Sequence, residues 1–83
     1  MEKIKLITPI MVDGNKVTEI ELRTPKVRDT IAVDKNDLSE SEKEVRLLAN
    51  LSGLSPDNIY DLDLRDYQHI GKVLSDFLTK KAV

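Results

Sequence analysis

The stretch LSGLSPDNIYDLDLRDY, residues 51–67, stops a helix once and starts one twice within about five helical turns. Ser52-Gly53 reads as the stop, because glycine takes the left-handed conformation that ends a helix without steric cost. Ser55-Pro56-Asp57 reads as a start, with a hydroxyl N-cap, a proline at the first helical position and an acid in the first turn. Asp63, followed by Asp66, is the second start. Leu54 precedes the Ser55 cap and is spaced to staple onto Ile59, and Leu62 precedes Asp63 and is spaced to staple onto Tyr67. The stretch therefore predicts two tight corners around a linker helix of one to two turns, Pro56 to about Asp61. Its punctuation builds corners that fold helices over a small core.

On the C-terminal side the pattern predicts a last helix from Leu64 to about Lys80. Tyr67, Ile70, Leu74, Phe77 and Leu78 form its apolar stripe, and Gly71 on that face is a position of close approach. Lys80 and Lys81 suit the negative end of its dipole. On the N-terminal side, Ser39-Glu-Ser-Glu42 is a capping box opening a helix striped by Val45, Leu48 and Leu51, with Leu47 widening the stripe. A shorter helix is predicted from Thr24-Pro25, with Val27 and Ile31 on its inner face and a loose end at Lys35-Asn36-Asp37.

Residues 3–23, KIKLITPIMVDGNKVTEIELR, read as a hairpin around Asp13-Gly14. A two-residue turn in uniform register would set Leu6 against Glu21 and put the apolar residues on opposite faces. Pairing Leu6 with Leu22 and Thr8 with Ile20 instead needs a loop of about three residues with a bulge. That register gathers Ile4, Leu6, Ile20 and Leu22 on one face and leaves Lys3, Lys5, Glu19 and Glu21 on the other as opposite-charge neighbours. Pro9 has no N–H for a ladder, so its strand is an edge or is broken there. The fold class expected is α+β: an N-terminal antiparallel β-hairpin (3–23) packed on a bundle of three to four short helices (25–80), in a single domain, 1–83.

Composition narrows the function. A chain of 83 residues buries roughly 60–65% of its unfolded surface and has a small core. It contains no cysteine, hence no disulfide, thiolate zinc site or cysteine nucleophile. With 34% charged and 40% apolar residues it has a globular balance. No apolar run in MEKIKLITPIMV reaches the length of a signal peptide or a membrane span, so a cytoplasmic protein with no membrane partner is expected. The net charge of −2, with lysines and arginines scattered, argues against nucleic acid as partner.

The residues that could carry chemistry have plainer readings. His69, the single histidine, falls off the apolar stripe and has no nucleophile or orienting group at a suggestive spacing. Asp57, Asp61, Asp63 and Asp66 lack a calcium-loop pattern, since Asp66 stands where glycine is needed and Lys72 where glutamate is needed. Asp57, Asp63 and Asp66 are instead helix N-terminal residues. A helix-turn-helix in 43–62 would have a reading helix bearing Asp57, Asn58 and Asp61 and no base, which a phosphate backbone repels. The three glycines stand apart and form no phosphate loop. Neither catalytic residue nor cofactor is expected. Ile10, Met11 and Val12 beside the turn cannot all enter one small core; they read either as a local cluster under the loop or, with Val73, as a partner-binding patch for self-association or for a helical client.

The order of these features resembles the small tail assembly chaperones of tailed bacteriophages, in their Mu-like and E-like group. The Arg-x-Pro-x-x-x-Asp step of that group is matched by Arg23, Pro25 and Asp29. Its Leu-x-Gly-Leu-x-Pro-Asp/Glu corner is matched by Leu51, Gly53, Leu54, Pro56 and Asp57, and its Leu-x-x-x-Asp-Tyr start of the last helix by Leu62, Asp66 and Tyr67. The resemblance covers nearly the whole chain. It implies a non-virion, non-enzymatic protein of the host cytoplasm that binds the long helical tape measure protein and keeps it soluble until tail tube subunits polymerise around it. It also implies a second, extended product made by ribosomal frameshifting, with which Lys80-Lys81 is compatible. A small phage or prophage transcriptional regulator or DNA-binding accessory protein is the alternative, and the acidic balance disfavours it.

Overall fold

The computed structural model describes residues 2–34 and 38–79. Among these residues an antiparallel hairpin of β1 (Glu2–Val12) and β2 (Asn15–Leu22) is followed by four helices: α1 (Val27–Val33), α2 (Glu40–Ser52), α3 (Pro56–Tyr60) and α4 (Leu64–Thr79). This is the expected α+β arrangement. Ile4, Ile20 and Leu22 are buried and Leu6 is half-buried; Val45, Leu48, Leu51, Ile59, Ile70 and Leu74 meet them from the helices.

The hairpin register differs from the sequence expectation. Asp13 (φ 51°) and Gly14 (φ 81°) form a two-residue turn in which both residues have positive φ, and Val12 pairs with Asn15 across it. Near the open end Ile4 pairs with Ile20, and the charged residues fall opposite each other as Lys3 with Glu21 and Lys5 with Glu19. Leu6 therefore does not pair with Leu22, nor Thr8 with Ile20. The odd offset that the apolar faces demand lies in the middle of β1, between Lys5 and Ile10, where the ladder breaks around Pro9.

The break is held from a distance. The Ile7 N–H donates to Asp66 Oδ1 at 2.8 Å and the Thr8 N–H donates to Asp66 Oδ2 at 3.0 Å. Asp66 is 1% exposed. It sits in the first turn of α4, but its carboxylate serves the strand amides that the bulge leaves without a ladder partner. Asp63 does the capping: its Oδ1 accepts from the Arg65 N–H at 2.9 Å, and its Oδ2 accepts from the Thr8 hydroxyl at 3.0 Å. The second helix start is thus also the anchor of β1.

The other helix signals are realised locally. Ser39 Oγ accepts from the Glu42 N–H and Glu42 Oε1 accepts from the Ser39 N–H, both at 3.1 Å, closing the predicted capping box. Ser55 and Asn58 make the same reciprocal pair at the start of α3. Gly53 (φ 77°) ends α2. Gly71 is no tight approach, since an added Cβ would meet only the Glu44 carboxylate, at 3.9 Å.

The first helix departs furthest from its reading. It begins at Val27, not at Thr24-Pro25, and Asp29 is the residue that organises its start. The Asp29 carboxylate accepts from the Lys26 N–H at 2.8 Å and from both Arg23 Nη atoms, at 2.9 and 2.7 Å. Asp29 and Val33 face inward, whereas Val27 and Ile31 are exposed. The helix end assigned to Lys35-Asn36-Asp37 lies outside the described residues, as do Lys80 and Lys81.

Replacing Asp66 by alanine leaves two bulge amides without an acceptor, and denaturant unfolding should show a loss of at least about 2 kcal/mol. Gly53→Ala, where a Cβ has open space and only the backbone conformation is strained, should cost about 1 kcal/mol. An Asp66→Ala midpoint equal to that of the parent chain would contradict the anchoring role.

Candidate functional site

The four residues expected to form a partner patch are not brought to the surface together. Ile10 is 5% exposed and belongs to the core. Val12 and Val73 are half-buried and pack on that core, while Met11 is exposed. Ile10 goes inward because the break in β1 lets it pair with Val17, a consequence of the long-range Asp66 bonds.

Exposed large apolar side chains lie on the hairpin, at Ile7 and Met11, and on the helices. Ile31 of α1 and Leu78 of α4 are exposed, and both line an open groove of about 590 Å³ between α1, α2 and the C-terminal half of α4. Val33, Leu47 and Leu74 add apolar lining. The rim is mainly acidic: Asp34, Glu40 and Glu44 stand against the single cation Lys43 among the described lining residues. Lys43 Nζ lies 3.6 Å from Asp34 and 3.7 Å from Glu40, so its charge is shared between two carboxylates. Leu78 was expected on the core stripe of α4 and Ile31 on that of α1; neither sequence position revealed that the helices hold these residues outward.

Two clamps position the walls of this groove. The Arg23 guanidinium, aided by the Lys26 N–H, holds the Asp29 carboxyl down to about 2 and fixes α1. Arg65, chiefly through its side chain, holds Asp63 well below the usual carboxylate range at the start of α4. Across from α2, the Tyr67 hydroxyl donates to Glu44, and burial together with that carboxylate pushes the phenol up from its ordinary value. These groups are fastened to structural partners, and His69 is exposed. No set of three or more His, Asp or Glu side chains among the described residues is arranged to hold a metal ion. No helix among them is long and apolar enough to cross a membrane.

The positions that carried the sequence resemblance all have places in this scaffold. Arg23 pairs with Asp29, Gly53 ends α2, Pro56 opens α3, Asp66 anchors β1 and Tyr67 bonds to Glu44. The family model described as "phage tail assembly chaperone proteins, E, or 41 or 14" matches residues 3–79. The chain belongs to this family of phage tail assembly chaperones. No match is found among curated proteins. Comparison with solved structures likewise finds none. The matched span runs from the hairpin to the last residue of α4 and so takes in every element of this chaperone's described fold.

The Asp29 clamp has a pH signature. Its carboxyl titrates near 3.9 in an unfolded chain and near 2 in the fold, so the native state binds fewer protons between those values. The stabilisation is complete above about pH 4 and is lost as pH falls through about 2. Urea midpoints measured from pH 5 to pH 2 should fall less steeply for Asp29→Asn than for the parent chain. Parallel curves would show that the ion pair contributes no such term.

Proposed function

We propose that this chaperone binds the tape measure protein and keeps it soluble in the host cytoplasm while tail tube subunits assemble around it. It does so by covering apolar surface, with neither a reaction nor a cofactor. Membership of the tail assembly chaperone family carries this reading. Exposed Ile31 and Leu78 beside a groove support it, because a protein that shields an aggregation-prone client needs accessible apolar surface of its own. The acidic rim also disfavours a nucleic-acid partner, since phosphate backbones require basic contacts.

Co-expression with the tape measure protein tests the proposal. The tape measure protein should move from the insoluble to the soluble fraction when the chaperone is present, and the two should co-purify. A tape measure protein equally soluble, or equally insoluble, with and without the chaperone would overturn the reading.

A further inference from the structure

We infer that the groove between α1, α2 and α4 is the docking site for an amphipathic helix whose apolar stripe is flanked by lysine or arginine. This inference rests on the chaperone reading and assigns a site and a chemistry to its client. The groove is walled by side chains from three helices, with Ile31, Val33, Leu47, Leu74 and Leu78 as its apolar surface. Helices expose no unpaired row of backbone N–H and C=O groups along their sides. An extended peptide would therefore find no ladder here and would leave its own backbone unsatisfied on docking. A helix satisfies its backbone internally and needs only an apolar groove, which these walls provide.

Charge then selects the flanks of that helix. Asp34, Glu40 and Glu44 border the apolar surface, and Lys43 is occupied by Asp34 and Glu40. The side chains of Asp34 and Glu40 are 77% and 95% exposed, so they can reach cations on a partner. Basic flanks would meet these carboxylates, whereas acidic flanks would meet like charge at short range. An anionic lipid surface is disfavoured on the same ground.

Two helical peptides of about 18 residues test this, each with leucines at i, i+3, i+4 and i+7, one flanked by lysine and the other by glutamate. The parent chaperone should bind the lysine peptide at least about tenfold more tightly than the glutamate peptide, with an affinity that weakens as salt is raised. Ile31→Lys combined with Leu78→Lys changes only exposed positions and should weaken lysine-peptide binding by about tenfold or more. Asp34→Lys combined with Glu40→Lys should reverse the preference between the peptides. Met11→Lys, on the hairpin, should change nothing. Circular dichroism of each variant checks that the fold is retained.

The inference is overturned by absent lysine-peptide binding, by equal affinity for the two peptides, or by a Met11→Lys loss as large as that of the groove variant. It is also overturned if sedimentation shows the groove variant converting a dimer of the parent chain to monomers, because a second copy would then fill the groove. Co-expression separates this from the parent reading. If the parent chain solubilises the tape measure protein and the groove variant does so equally well, the groove assignment falls while the chaperone reading stands. If the parent chain fails to solubilise it, the chaperone reading falls.

Discussion

The bonds from the Ile7 and Thr8 amides to the buried Asp66 carboxylate are the constraint on which the rest of the structure depends. A two-residue Asp13-Gly14 turn forces a register that would send half of the hairpin's apolar residues to the wrong face. An odd number of extra residues must be inserted somewhere, and insertion strips strand amides of their ladder partners. A hydrogen bond to a charged acceptor is worth about 1.5–3 kcal/mol, so the insertion is favoured where a carboxylate is supplied. Asp66 supplies two acceptors on one side chain. The residue must project from the first turn of α4, which explains why the helix restarts where it does. The corner at Leu62-Asp63 is dictated by the strand it has to reach.

The Arg23–Asp29 pair plays the corresponding part for α1. Successive residues of a helix are about 100° apart, so residues two positions away from Asp29 lie on nearly the opposite side. Val27 and Ile31 are those residues. Once the ion pair and the Lys26 amide draw Asp29 inward, the helix must present Val27 and Ile31 to solvent. Val33, four residues beyond Asp29, is the apolar residue that goes in with it. The exposed apolar face of α1 is therefore a geometric consequence of a buried carboxylate.

The same contrast explains what could be read from the sequence. Signals whose partners lie within four residues were legible: the Ser39–Glu42 box, the Ser55 cap, the Gly53 stop and the alternation of Ile4, Leu6, Ile20 and Leu22. The position of the odd offset was not, because the group that decides it is 59 residues away from Ile7. Val27 and Ile31 were assigned to the core because spacing alone treats apolar residues as the inner face, and a six-residue ion pair overrode it. The burial of Ile10 was not legible for the same reason that the register was not. The groove was invisible because its lining residues come from three separate helices.

Both clamps converge on the same surface. Asp66 and Asp63 set the start of α4, whose far half carries Leu74 and Leu78, and Asp29 sets the face of α1 that shows Ile31. Between them α2 contributes Glu40, Glu44 and Leu47, spaced four and three apart and hence on one stripe. Glu44 also accepts from Tyr67, which ties α2 to α4 at the edge of the groove. Among the described residues every buried side-chain nitrogen and oxygen has a hydrogen-bond partner, so the carboxylates fixed inside are used up in holding helices in place. Asp34 and Glu40 on the rim remain largely exposed. This division lets an acidic chain hold its apolar walls apart without filling the space between them, and it keeps both apolar contact and charge available to a partner at one place.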